Sequence, residues 1–232
     1  MSAYVLPVPP VASLRIEGRD ERFPVHRIYC VGRNFAEHAK EMGAEVSRGT
    51  PVFFMKPADA VVPDGGDVPY PTATQDLHHE VELVVALGAG SDDIVPIDRA
   101  SAMIFGHGVG LDLTRRDLQA QAKEKRLPWD ISKGFDHSAP VSALVPLAGR
   151  AHPGGGDLLW LEINGERRQQ APLSEMVFAV ADIIHELSKL FALRPGDLIF
   201  MGTPAGVAAL KPGDAFRAGV DGLTEFSGRI VG

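Results

Sequence analysis

Residues 77–85 read LHHEVELVV, and the way this stretch is read decides the fold. Glu80 and Glu82 alternate with Val81, Leu83 and Val85. Such alternation marks a strand, in which residues i and i+2 point to the same face. Both carboxylates then share one face, their side-chain bases roughly 7 Å apart along the strand. Like charges on one face repel, and burying them without partners is costly. Either that face is wet, or something positive lies against it.

On both sides of this strand, short apolar runs are broken by 18 prolines and 25 glycines in 232 residues, a pattern of a β-rich fold with a few helices. HRIYCVG (26–32), PVFFMKP (51–57), the glycine-rich IFGHGVGLDLT (104–114) and LIFMGTP (198–204) read as strands. LLWLEINGERRQQ (158–170) sets Asn164-Gly165 between alternating runs, a strong hairpin signal. RNFAEHAKEMG (33–43) reads as a helical segment closed by Gly43. IDRASAM (97–103) reads as a short helix with Asp98 as N-cap, and 114–126 as a helix with Thr114 as N-cap and Asp117 in its first turn. In 174–193, Met176, Val180, Ile183, Ile184, Leu187 and Phe191 fall at helical spacing and predict a core helix. Residues 1–22, with prolines at 7, 9 and 10, read as an N-terminal arm or edge hairpin ahead of a single domain at 23–232.

The composition, 45% hydrophobic and 23% charged, is that of an ordinary soluble globular protein. A net charge of −7 gives no electrostatic reason to expect nucleic acid or an anionic membrane, and any anionic ligand would need locally placed Lys or Arg. The one cysteine, Cys30, lies in an apolar strand-like run and reads as a buried structural thiol. No stretch reads as a signal peptide, and no apolar run approaches the roughly 20 residues of a membrane span, so a cytoplasmic protein is expected.

A third carboxylate, Asp112, ends the strand of 104–114 on the face of Gly110. Glu80, Glu82 and Asp112 together suit a hard cation such as Mg²⁺, whose octahedral shell would keep three positions for water and substrate. The competing reading is a solvated acidic sheet face. His78 and His79 raise a zinc alternative, but neighbouring strand residues point to opposite faces, which favours a structural or supporting role for each. His38 and Glu41 stand at i, i+3 on one helix face, the spacing of a general-base dyad and equally of a solvated pair. Lys133 lies in a Gly/Pro-bounded loop, and Arg116 and Gln119 share a helix face just after Asp112.

Seven motifs, GRNFAEHAKEM, FMKP, HHEVELVV, GLDLTRRDLQ, LPWDISKGFDHSAPVS, INGERRQQ and GDLIFMGTPAGV, occur in the order and spacing that resembles the fumarylacetoacetate hydrolase family, over about residues 26–214. The short, single-domain branch of acylpyruvases and fumarylpyruvate hydrolases is the most similar. The resemblance implies an α+β, β-rich mixed β-sandwich roll with a few flanking helices, usually a homodimer, with 23–232 as the catalytic domain. It implies Mg²⁺ or Mn²⁺ on Glu80, Glu82 and Asp112, a water-activating His38–Glu41 dyad on a mobile lid over 33–49, and Lys133 as the active-site lysine. Arg116 and Gln119 match substrate-contacting positions, and Arg33, Lys56 and Thr203 fall in motifs that line the site. The implied reaction is hydrolysis of a small anionic 2,4-dioxo acid, an acylpyruvate such as fumarylpyruvate, in aromatic-compound catabolism. The same metal–enolate chemistry serves relatives that decarboxylate oxaloacetate or isomerise and decarboxylate hydroxymuconate-type acids. A non-catalytic metabolite-binding homologue is the remaining alternative.

Overall fold

The computed structural model describes residues 4–41 and 49–232, so Gly43, the expected helix stop, and most of the lid segment beyond Glu41 lie outside the described residues. The glutamate strand, Val81–Leu87, is central in a large mixed sheet. The strand order there is Val52–Lys56, Arg27–Gly32, Asp197–Phe200, Val81–Leu87, Ile104–Leu111, Ala139–Val141 and Val61–Pro63. Arg27–Gly32 runs parallel to Asp197–Phe200, while Val81–Leu87 is antiparallel to both of its neighbours. A second, five-stranded sheet is ordered Glu166–Pro172, Leu158–Ile163, Ala215–Val220, Thr224–Val231 and Gly65–Pro69. The expected hairpin turns at Asn164 and Gly165, both at positive φ (53° and 81°), as a two-residue turn between twisted strands requires.

Every residue of Val81–Leu87 is buried, and the alternation explains why. Leu83, Val85 and Leu87 face the second sheet and pack with Leu159, Leu161 and Phe216. Val84 and Ala86 face the other way, onto Ile28, Cys30, Leu198 and Phe200. Glu82 shares the Val84 side, so neither face of this strand is wet. Gly110 stands directly opposite Glu82 in the register. A Cβ there would come within 2.7 Å of the Phe200 ring, so the strands close up only around a glycine.

Among the described residues the α-helices are α1 (Ala36–Glu41), α2 (Ile97–Ala100), α3 (Arg116–Lys125), α4 (Asp130–Lys133) and α5 (Val180–Ser188). Three helix starts differ from the sequence reading. α3 begins at Arg116, because Thr114 is drawn into a short strand and its hydroxyl donates to the Asp112 carbonyl instead of capping. Asp98 lies in the first turn of α2, with Pro96 at the N-cap. α5 begins only at Val180, not near 174. The Asn34 side chain accepts from the Phe178 N–H (2.8 Å) and donates to its carbonyl (3.1 Å), holding that segment extended. A long-range polar clamp overrides the helical spacing of Met176.

Candidate metal centre and active site

Glu80, Glu82 and Asp112 come from the facing ends of two neighbouring antiparallel strands. Glu80 immediately precedes Val81–Leu87, and Asp112 immediately follows Ile104–Leu111. The Asp112 N–H donates to the Glu80 carbonyl at 2.8 Å, which locks the two residues side by side. One oxygen from each of the three carboxylates lies within 4.8 Å of the other two. All three side chains are buried, so the solvated-face reading is excluded.

Positive charge does lie against that face. Lys133, itself buried at the end of α4, donates to Glu80 (2.7 Å) and Asp112 (2.5 Å). Lys56 is fully enclosed. Its ammonium sits 2.8 Å from the second Asp112 oxygen, an ion contact rather than an aligned hydrogen bond, and it donates to the carbonyls of Leu113 and Lys133. Arg116 donates to the second Glu80 oxygen at 2.5 Å and to Gln119 Oε1 at 2.7 Å. Burial works to raise the Glu80 pKa, but Lys133 and Arg116 outweigh it and hold the carboxyl well below its ordinary range. For Lys133, burial works to lower the pKa, and Asp112 and Glu80 raise it above the ordinary value.

Glu82 is different. It makes no ion pair among the described residues, and its Oε2 accepts only the Gly202 N–H, at 2.6 Å. Burial and then the charges of Asp112 and Glu80 push its pKa well above the usual carboxylate range. Gly202 is at φ +93°, and a Cβ there would lie 2.7 Å from that of Asn34, so only glycine brings this N–H to the carboxylate. Three hard oxygen donors, with no sulfur and no imidazole among them and a surplus of negative charge at Glu82, fit a divalent cation of the Mg²⁺ or Mn²⁺ class.

These groups line a small cavity whose other walls include Arg33, His38, Phe54, Gln119, Lys123 and Trp129, with Thr203 at its edge. His38 is buried on α1. Its Nδ1 lies 3.6 Å from a Glu41 oxygen, longer than a hydrogen bond. Burial is the main cause that lowers the His38 pKa, so the imidazole is neutral and able to accept a proton at neutral pH. Glu41 in turn accepts the Gly206 N–H, which ties α1 to the loop after Asp197–Phe200. Lys56 is the one expected site residue among the cations that does not reach the cavity, all its contacts being to protein.

Behind the cavity lies a network absent from the sequence reading. Gln169 accepts from the Val81 N–H (3.1 Å) and shares a 2.9 Å hydrogen bond with His79 Nδ1 through Oε1, while its Nε2 donates to Thr203 Oγ1 and the Pro204 carbonyl, both at 2.8 Å. One buried amide thus joins the glutamate strand to the GTP loop. His79, held there, has its pKa lowered to about 4, chiefly by burial. His78 instead pairs with Asp76 at 2.9 Å, so neither histidine joins the carboxylates. Asn34, Gln169 and Trp129 lay inside the recognised motifs and Lys123 just beyond one, but only their partners in the fold mark them. Gln169 and Thr203 are 34 residues apart.

This fold, wrapped around a buried carboxylate triad, defines a family. The fumarylacetoacetate (FAA) hydrolase C-terminal family model matches residues 27–231, and the chain belongs to that family. Among solved structures, fumarylpyruvate hydrolase from Pseudomonas aeruginosa, in complex with Mn²⁺ and pyruvate, superposes with a TM-score of 0.95 at 43% identity, covering 99% of both chains. The mitochondrial oxaloacetate tautomerase of Rattus norvegicus is 44% identical over 203 residues, 88% of this chain and 90% of the relative. The mitochondrial oxaloacetate decarboxylase of Dictyostelium discoideum is 40% identical over 85% of this chain and 89% of its own length. No helix among the described residues is long and apolar enough to cross a membrane.

Proposed function

We propose that the chain is a metal-dependent hydrolase that cleaves the C3–C4 bond of a 2,4-dioxo acid, fumarylpyruvate to fumarate and pyruvate being the best-fitting case, in aromatic-compound catabolism. The observation that carries this reading is the neutral His38 imidazole, walled into the same cavity as the carboxylate triad and backed by Glu41. Hydrolysis needs a base beside a cation site. The likeness to the P. aeruginosa enzyme along 99% of both chains supports it.

Glu80, Glu82 and Asp112 would hold Mg²⁺ or Mn²⁺. The bound ion would supply Lewis-acid stabilisation of the pyruvate enolate. Arg116 and Gln119, bonded to each other on the cavity wall, present donors to the carboxylate end of the substrate. His38 takes a proton from water, whose oxygen adds to C4. Lys133 and its neighbours place positive charge at the wall where the oxyanion develops. As C3–C4 breaks, C4 leaves as the carboxylic acid and C3 takes the proton held by His38 to give pyruvate. The working unit in this reading is a cytoplasmic homodimer.

A second reading, oxaloacetate tautomerisation or decarboxylation on the same site, is favoured by the 40–44% identical relatives. The test is the ratio of two activities at saturating Mg²⁺. His38→Ala is expected to lower acylpyruvate hydrolysis roughly 10²–10⁴-fold, to lower any oxaloacetate activity much less, and to leave Mg²⁺ affinity in place. Asp112→Asn is expected to lower both. Equal losses of both activities in His38→Ala would show that His38 is not a hydrolysis-specific base and remove the observation on which the hydrolytic reading rests.

A further inference from the structure

In the outer strand Glu166–Pro172, Arg168 and Gln170 are exposed while Gln169 and Ala171 are buried. An amide in such a core position costs stability unless its two protons and two oxygen lone pairs are all taken. At Gln169 all four are taken. Oε1 bonds His79 Nδ1 and the Val81 N–H, and Nε2 donates to Thr203 Oγ1 and the Pro204 carbonyl.

Two of these partners have a fixed polarity. The Val81 N–H can only donate and the Pro204 carbonyl can only accept, so they settle which end of the amide is oxygen. The other two partners must conform. His79 Nδ1 carries a proton, and Thr203 Oγ1 accepts one from Gln169. The hydroxyl's own proton is then aimed elsewhere. It has no acceptor among the described residues, and Thr203 borders the cavity beside Glu82. The loop cannot turn this residue away. On one side Gly202 donates its N–H to Glu82, and on the other Gly206 packs so closely on the Arg168 carbonyl that a Cβ would clash.

We propose that Gln169 is a positioning residue that commits the Thr203 hydroxyl proton to the cavity, so that this part of the wall can only donate. The group it selects is an oxygen that carries lone pairs and no proton, as in a 2-oxo, enolate or carboxylate group. A hydroxyl at the same place could accept, but its own proton would need another partner. Gln169 touches no ligand itself. This inference rests on the reading above that the cavity takes a 2-oxo acid.

The experiment is calorimetry on the Mn²⁺-loaded protein at saturating Mn²⁺, with pyruvate and lactate as probes. Both are monoanions, and they differ in whether the 2-oxygen carries a proton. The quantity read is the preference for pyruvate over lactate. Thr203→Val is expected to lower it about fivefold, the worth of one hydrogen bond, and Thr203→Ser to keep it within about twofold. Gln169→Glu turns the atom facing Thr203 from donor to acceptor and draws the hydroxyl proton away from the cavity. It is expected to lower the preference at least about fivefold. Gln169→Met leaves the hydroxyl free to rotate and is expected to lower it by about two- to threefold; it reads the same effect if the buried glutamate prevents folding. With Thr203 already replaced by Val, neither change at Gln169 should alter the preference further. An unchanged preference in Thr203→Val would overturn the proposal. So would Gln169 variants that weaken both acids alike, or that shift the preference equally with and without the Thr203 hydroxyl. If neither acid binds, the reading of the cavity as a 2-oxo acid site falls, and this assignment with it. If both bind and the Thr203-dependent preference is missing, only this assignment falls.

Discussion

Replacing Lys56 by Met keeps the side-chain length and removes the ammonium that sits between Asp112, Leu113 and Lys133. Asp112 is completely buried, and after the change one of its oxygens faces no cation. Breaking a buried ion pair in this way costs about 3–5 kcal/mol. Lys133 still holds the other oxygen at 2.5 Å, which places the ion-pair loss at about 3 kcal/mol, the low end of that range. The Leu113 carbonyl also loses a donor, about 1–2 kcal/mol. The Lys133 carbonyl suffers less, because Ser138 Oγ still donates to it at 3.1 Å. The sum is roughly 4–5 kcal/mol, a large part of the stability of a domain of this size. At about 2–4 °C per kcal/mol, Tm should fall on the order of 10–20 °C. Metal-free urea unfolding of Lys56→Met, Asp112→Asn and the double variant supplies the cycle. A coupling of about 3 kcal/mol is expected, carried by the ion pair. Additivity within about 0.5 kcal/mol, or a Tm loss below about 3 °C, would refute the argument that Lys56 acts through Asp112.

Three further outcomes are expected. Glu82→Gln removes a carboxyl whose pKa is raised by burial and then by repulsion from Asp112 and Glu80, so the metal-free protein should gain about 1 kcal/mol; its Mn²⁺-induced rise in Tm should vanish, and a metal shift equal to that of the unsubstituted protein would move the cation site elsewhere. His79 and His107, both buried with pKa values lowered to about 4, bind protons less well folded than unfolded, so each contributes stability that is present above pH 6.5 and is lost as pH falls toward 4. His107→Phe should therefore flatten the acid limb of a urea-stability profile between pH 6.5 and 4, by an amount on the order of 2–3 kcal/mol, and an unchanged limb would contradict the burial argument. Addition of Mn²⁺ with oxalate should slow amide exchange across α1, Ala36–Glu41, and equal exchange with and without ligand would dismiss closure of this segment over the site.

What could be read in the sequence followed from local period. The glutamate strand, the strand of Arg27–Gly32 and the Asn164-Gly165 hairpin are specified by alternation and turn chemistry within a few residues. Of the triad, local period showed two carboxylates on one strand face and a third at the end of another strand; the family resemblance joined them, and the register of the two strands brings them side by side. Two of the misread helix starts share a cause: Thr114 is paired with His78 in a short strand, and Phe178 is held by Asn34, 144 residues away from it, so tertiary contact overrides the local signal at both. Gln169 illustrates the same limit. In the sequence it is one polar residue of a hairpin, and only the fold brings His79, Val81, Thr203 and Pro204 to its two amide atoms.

The clamp at Asn34 also settles where the chain can bend. Its side chain is bonded to Phe178 on one flank and to the Met201 carbonyl (2.7 Å) on the other, and the next residue, Phe35, is buried and bridged to Met176. These two residues act as a pinned axle. Arg33 lies on the near side of the axle and His38 three residues beyond it, on a six-residue helix whose far end rests on Gly206 through Glu41. His38 and Arg33, which wall the same cavity, therefore sit on opposite sides of one fixed point in the chain.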